Sequence, residues 1–285
     1  MDIMILGGSG VVGHHLDLEL KKGHNVKTVS KTSKSSSYNI DALDFQSLEN
    51  LISDEKPDVV INAIKPPLST DRMEEEKQLS YKVNTLLPER IAQMQERHMF
   101  KYVHMSTVWV YEGKKGETYS EESLTYVKNY YSLTKLLAEE RIRLISKDYI
   151  IARTEGVYGI DEKGTNLFLR IRNATASNPV QLTDDQFSQP IYSGELARII
   201  RTLIEKGANG IFNTVGPDLV SRYEFGLRMV KSFNFGKETI KPFSVKDRKL
   251  AIPEFLKVDI SKVERVTGKT ASLEQQFEML KKAIA

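Results

Sequence analysis

Short apolar runs alternate with helical patterns through the first half of the chain. Ile3 to Leu6, Asn25 to Ser30, Asp58 to Ala63, Lys101 to Ser106 and Tyr149 to Thr154 read as strands. Between them, Val11 to Lys22, Phe45 to Ile52, Glu74 to Arg97 and Tyr130 to Ile145 repeat apolar residues at helical spacing. Strands that alternate with helices predict a parallel sheet covered on both faces, because each crossover lays a helix back against the strands it connects. The expected fold is a doubly wound α/β sheet.

The regularity falls after Thr154. Asn166 to Ala176 looks helical, Asp184-Asp185-Gln186-Phe187 looks like a loop, Ser193 to Glu205 is another helix and Ile211 to Val215 a late strand. Helices are expected again at Ser221 to Phe233 and Ser272 to Ile284. Within Ser221-Arg222-Tyr223-Glu224, Ser221 is placed to cap a helix and Glu224 to close a capping box. This pattern divides the chain into a dinucleotide-binding domain, residues 1–160 with about 190–216, and a smaller lobe, about 161–189 with 217–285, over the carboxyl ends of the strands. The stretch Lys31 to Tyr38, rich in serine and lysine, reads as a loop.

Composition narrows the function classes. The 285 residues carry a net charge of +3 with Lys and Arg scattered along the chain, so nucleic acid is not the expected partner. There is no cysteine, which removes disulfides, thiolate metal sites and a cysteine nucleophile. His14, His15, His24, His98 and His104 lack a metal-binding spacing, so no metal is expected. No apolar stretch approaches the ~20 residues of a membrane helix. Met1 to Leu6 reads as a first strand, not as a leader, and a soluble, cytoplasmic protein is expected.

Candidate chemistry begins at Gly7-Gly8-Ser9-Gly10-Val11-Val12-Gly13, between the first strand and first helix. Glycine there lets backbone N–H groups approach a diphosphate at a helix N-terminus, where the dipole favours negative charge. That context predicts a Rossmann-type dinucleotide site. The second strand ends in Ser30-Lys31-Thr32-Ser33-Lys34, with hydroxyls and ammonium groups where an acidic residue would select NAD. NADP(H) is therefore favoured, with NAD(H) as the alternative. Asp41 and Asp44 follow, placed either to approach the adenine or to cap the helix near Phe45.

Tyr131 and Lys135 supply the second element of chemistry. Four residues apart on one helix face, they can share a ligand atom, and a nearby ammonium is expected to pull the phenol below its usual pKa. Tyr131 is then a candidate general acid. Tyr111 and Lys115 repeat the spacing, but Gly113 and Gly116 place that pair in a loop.

Together these residues resemble the extended short-chain dehydrogenase/reductases, and most closely the dTDP-4-dehydrorhamnose reductase family. The likeness spans nearly the whole chain, through Asp41-Ala42-Leu43-Asp44, Lys56 to Ala63, Asn84, Met105 to Gly113, Arg153 to Gly159 and Asp184 to Tyr192. It implies hydride transfer to the C4 ketone of a nucleotide-linked 6-deoxy-4-ketohexose, with Tyr131 protonating the oxygen. It also implies that Thr107 is a second donor to that oxygen, that Lys135 holds the nicotinamide ribose, and that Asn62, Ala63 and Ile64 contact the cofactor. Gln186 and Gln189 become candidates for the nucleotide end of the substrate, or are plain loop polars. Arg153 is read as structural.

Two departures flank the substrate pocket. The family usually carries aspartate and tyrosine after the threonine, where this chain has Val108 and Trp109, and Ile64 to Thr70 replaces a small, Ala-rich stretch. Valine cannot accept a hydrogen bond from a sugar hydroxyl. Two further readings stay open: a non-catalytic NADP-binding subunit resembling the methionine adenosyltransferase β subunit, and a sugar-nucleotide epimerase or dehydratase. A homodimer is compatible with either.

Overall fold

The structure, a computed structural model, describes residues 1–162, 164 and 166–284. Its centre is a seven-stranded parallel sheet. The strands are β1 (Asp2–Leu6), β2 (Asn25–Ser30), β3 (Tyr38–Asn39), β4 (Val59–Asn62), β5 (Lys101–Thr107), β6 (Tyr149–Thr154) and β7 (Gly210–Asn213). Their spatial order is β3-β2-β1-β4-β5-β6-β7. The order turns back at β1 and β4, and all carboxyl ends lie along one edge.

Strand β1 shows why both faces are covered. Ile3 and Ile5 point into one core with Leu16 and Leu20 of α1 (Val11–Leu20) and Leu196 and Ile200 of the helix Ser193–Glu205. Met4 and Leu6 point into the opposite core, against Leu48 and Ile52 of α2 (Phe45–Glu55) and Ile91 of α3 (Leu87–His98). Successive residues of a strand face opposite ways, so a strand buried on both sides is apolar throughout. The crossover after β5 carries α4 (Tyr130–Ile145), whose Ile142 joins the second core.

The expected helix from Glu74 to Arg97 is broken in the structure. It consists of Thr70–Glu75, Lys77–Tyr81, a π-turn at Lys82–Leu86, and α3. Pro88 is the physical reason: in a continuous helix its ring would clash with the carbonyl of Asn84, and it has no N–H to donate there. The backbone widens instead, with Leu87 N–H reaching back five residues to the carbonyl of Lys82. Pro88 then falls in the first turn of α3, where a donor is not needed.

The second half adds small elements that the pattern did not reveal. Val180–Thr183 pairs in parallel with Ile240–Phe243, and Phe187–Ser188 pairs antiparallel with Val220–Ser221. Phe187, expected in a loop, is therefore in a short strand. These segments and α5 (Arg222–Phe233) surround a separate core containing Phe168, Leu182, Phe225, Met229, Ile240 and Phe277. The helix expected from Asn166 ends early, at Arg172. Ser221 does cap α5, accepting from Glu224 N at 3.0 Å. The capping box is not closed, because the Glu224 carboxylate is engaged by the Arg228 guanidinium one turn on.

Candidate active site

The glycine loop is shaped by what lies behind it. Gly7 adopts φ +89°, a left-handed conformation that disfavours side chains, and its N–H donates to Val29 O at 2.9 Å. A Cβ on Gly13 would lie 2.2 Å from Gly7 O, so the helix starts in contact with the turn only because Gly13 has no side chain. At Gly10 the nearest atom to an added Cβ is 3.5 Å away, and Gly10 begins α1 with no side-chain cap. The result is a helix N-terminus whose first turn holds no acidic residue, a cradle that fits a diphosphate. Ser9 is buried in the turn, Val11 is half-buried, and Val12 packs against the first core.

At the end of β2 two of the predicted anion-binding groups, Lys31 and Ser33, are paired with carboxylates. Lys31 Nζ lies 2.7 Å from Asp41 Oδ2, and this ammonium holds the Asp41 carboxyl below the usual range. Ser30 Oγ accepts from Ser33 N at 2.9 Å. Ser33 Oγ donates to Glu162 Oε2 at 2.8 Å, and Ser35 donates to the same carboxylate. Glu162 comes from the segment after β6, far away in sequence, and no local signal points to it. Asp44 takes the capping role at α2, accepting from Ser47 N at 3.2 Å. At the end of β4, Asn62 Oδ1 accepts from Ile64 N at 3.1 Å, while Ala63 backbone lies against Gly7.

Helix α4 positions Tyr131 and Lys135. Asn129 and Ser132 form a reciprocal capping box, and Asn129 Nδ2 also donates to Ala251 O at 2.9 Å. Tyr131 therefore stands in the first turn, Lys135 one turn later and Glu139 one turn later again, on a common face. The Tyr131 phenol faces the Thr107 hydroxyl and meets the Trp109 ring edge-on at 5.9 Å. Thr107 Oγ1 also accepts from Trp109 N at 3.2 Å. The π-turn docks on the same helix, with Asn84 Nδ2 donating to Thr134 Oγ1 at 3.1 Å.

The expected depression of the Tyr131 pKa is not what these surroundings give. Burial pushes the phenol up, the facing Thr107 hydroxyl opposes this, and the Glu155 carboxylate adds to the rise. The ammonium of Lys135 is directed elsewhere, donating to Met105 O at 2.5 Å and lying 3.3 Å from His104 Nε2. Burial lowers the Lys135 pKa to about 8, with Glu139 opposing. His104 is pushed well below its ordinary value, first by burial and then by Lys135.

A buried ion pair fixes the platform below. Arg153 Nη2 lies 2.6 Å from Glu139 Oε2, and both side chains are enclosed. Arg153 Nη1 donates to Tyr111 Oη at 2.8 Å, and Tyr111 donates to Asn213 Oδ1 at 3.0 Å. Tyr111, the repeat of the Tyr-Lys spacing, is thus a structural member of this network. Breaking such a pair by removing one partner typically costs about 3–5 kcal/mol, because the other charge stays buried.

On the substrate side, Val108 and Trp109 are buried in a core cluster with Val110 and Tyr111, and Tyr131 packs against it. Gln189 has both ends of its amide bonded within the protein, to Gly216 O at 2.9 Å and from Val258 N at 2.6 Å. That is the loop-polar role. Gln186 accepts from Thr183 at 3.0 Å, and its buried Nε2 has no partner among the described residues.

Sequence reasoning missed three arginines. Arg170, Arg222 and Arg248 line an open cavity of about 910 Å³ beside Leu182 and Phe243. Arg222 is lowered from its ordinary pKa by burial and by Arg248 and Arg170, with Glu155 opposing. Three arginines sharing one cavity suit an anion, and Arg248 is also paired with Asp71, its Nη2 3.0 Å from Oδ2. They come from separate elements, so no spacing in the chain reveals them. Glu155 connects the cavity to Tyr131: Oε1 lies 3.5 Å from Arg222 Nη1, and its charge acts on the phenol.

The sequence profile of the RmlD substrate binding domain matches residues 1–284. The chain is 29% identical over 231 residues to the spore coat polysaccharide biosynthesis protein SpsK of Bacillus subtilis, covering 80% of this chain and 78% of that protein. It is 30% identical over 205 residues to a dTDP-4-dehydrorhamnose reductase of Aggregatibacter actinomycetemcomitans, covering 67% and 69%. Among solved structures, a dTDP-4-dehydrorhamnose reductase of Bacillus anthracis in complex with NADP superposes with a TM-score of 0.89 at 22% identity, covering 99% of each chain.

Proposed function

We propose, from the premise that the chain belongs to the RmlD substrate binding domain family, that it is an NADPH-dependent reductase of a dTDP-linked 4-keto-6-deoxy sugar. It is an oxidoreductase of the extended short-chain dehydrogenase/reductase type. The observation that carries the reading is Thr107 at the end of β5 facing Tyr131 in the first turn of α4, with Lys135 one turn on and anchored to β5 through Met105 O.

The cradle of Gly7, Gly10 and Gly13 at the start of α1 suits the diphosphate of NADP(H), and Ser30, Lys31 and Ser33 suit its 2′-phosphate. When bound, the nicotinamide supplies a hydride. Tyr131 donates its proton to the ketone oxygen, where negative charge develops, and Thr107 donates a second hydrogen bond there. A phenol held above its ordinary pKa remains protonated at neutral pH, which suits an acid. Lys135, on its Met105 anchor, holds the nicotinamide ribose. Arg170, Arg222 and Arg248 take the diphosphate of the sugar nucleotide.

The two-lobe division belongs to this reading: residues 1–160 with about 190–216 hold the cofactor, and about 161–189 with 217–285 hold the nucleotide. No helix among the described residues is long and apolar enough to cross a membrane. Leu133, Leu137 and Leu144 stand exposed on α4, a surface that a homodimer would use.

The test is NADPH oxidation with a panel of dTDP-4-keto-6-deoxy sugars. Oxidation in proportion to product is expected. Product formation without net oxidation would indicate an epimerase, and no reaction with any member would favour a binding subunit.

A further inference from the structure

The residue that follows Thr107 and Thr154 in the pairing of β5 with β6 differs sharply between the two strands. Thr107 is registered against Thr154 as the last pair of the two strands; the chain then turns at Val108–Val110 after β5 and passes to Glu155 after β6. Val108 offers no polar atom and is buried in the core. Glu155 is a carboxylate with a side chain only 5% exposed. Its Oε1 faces Arg222, but its buried Oε2 has no hydrogen-bond partner among the described residues.

A buried carboxylate oxygen without a donor is costly to leave unmet. The backbone holds it in place: Gly156 turns with φ +59°, and a Cβ there would come within 3.1 Å of Pro190. The carboxylate faces Arg222, which lines the anion cavity, and its charge also acts on the phenol of Tyr131. In the proposed reading, a sugar nucleotide that reaches from the arginines to Tyr131 brings its hexose into the neighbourhood of this carboxylate.

We infer that Glu155 is a substrate-binding residue, its Oε2 accepting a hydrogen bond from a ring hydroxyl of the hexose. This assignment rests on the proposed sugar-nucleotide reading. Glu155 discriminates the sugar, whereas Arg170, Arg222 and Arg248 take the nucleotide diphosphate. Arg222, 3.5 Å from Oε1, orients the carboxylate, and the hydroxyl supplies the missing donor for Oε2.

Calorimetric titration of wild type and Glu155→Gln with dTDP, dTDP-rhamnose and NADPH tests this. The expected result is about tenfold weaker binding of dTDP-rhamnose to the variant, with NADPH within twofold and dTDP no weaker than in wild type. Equal affinity of both proteins for dTDP-rhamnose overturns the assignment. So does a parallel loss of dTDP and dTDP-rhamnose, which would show that Glu155 only supports Arg222. Glu155→Ala is read in the same way if the glutamine variant fails to hold NADPH. The reductase reading is judged separately, by wild-type NADPH oxidation with a dTDP-4-keto-6-deoxy sugar, so turnover can fail while the binding difference stands.

Discussion

Lys135 donates to the Met105 carbonyl at 2.5 Å, which ties the ammonium to β5 instead of to the phenol four residues before it. Its pKa is lowered to about 8, mainly by burial. NADPH affinity should therefore be flat from pH 6.5 to 7.5 and weaken roughly three- to tenfold as the charge is lost above about 8, the scale of one charge-assisted hydrogen bond. Lys135→Met should bind weakly at all these pH values. A wild-type affinity that does not change between pH 7 and 9.5 would remove the charged lysine from cofactor binding.

Tyr131→Phe deletes the proposed acid while keeping the ring against Trp109. The expected loss in kcat is about 10²- to 10⁴-fold, with NADPH affinity within twofold of wild type. Turnover close to wild type would point to a different proton donor.

Lys31 and Asp41 make opposite predictions because they are paired at 2.7 Å. Lys31→Ala should weaken NADPH by roughly tenfold and leave NADH unchanged, since only NADPH carries a 2′-phosphate. Asp41→Asn releases the ammonium and should leave NADPH binding as tight or tighter. Equal losses for both cofactors in Lys31→Ala would show that the lysine does not read the phosphate.

Arg222→Ala should raise KM for the nucleotide sugar about tenfold or more, with NADPH affinity unchanged, because Arg222 lines the cavity that receives the diphosphate in this reading. The wild-type KM should also rise with salt, as expected for a cluster of guanidiniums. A KM indifferent to both changes would exclude the arginine cavity from substrate binding.

His15 gives the fold an acid-sensitive point. Its pKa is lowered from 6.5 to about 4, by burial first and His14 second. The fold holds the neutral imidazole, so this contribution is complete above about 6.5 and is lost as pH falls through that value toward 4 and below. The shift corresponds to about 3 kcal/mol when fully expressed. Thermal melts should show Tm falling by several degrees from pH 7.5 to 5, and His15→Gln should reduce that fall. The same decline in both proteins would place the acid sensitivity elsewhere.

Much of the chain up to Thr154, together with the later helix Ser193–Glu205, is legible in the sequence because local rules coincide there. The strands Asn25–Ser30 and Tyr149–Thr154 and the helices Tyr130–Ile145 and Ser193–Glu205 have the limits that their patterns predict. Apolar period, capping residues and glycine turns all give the same answer in these segments. Where they conflict, pattern misleads: the apolar period runs through Glu74 to Arg97, but Pro88 forces the π-turn that docks Asn84 against Thr134.

The candidate site divides in the same way. The glycine loop, Tyr131 and Lys135 are each a short-range motif, so the sequence by itself determined them and, with them, the α/β class and a dinucleotide cofactor. The direction of the Lys135 ammonium, the raised pKa of Tyr131 and the carboxylates at Lys31 and Ser33 depend on burial and on partners set by folding. The arginines at 170, 222 and 248 share a cavity, and Arg222 faces Glu155, only because separate elements converge in space. Spacing along a chain reports neighbours within a turn or a strand. Charge placed in a cavity by several elements is decided by tertiary structure, since its energy depends on burial and distance in space.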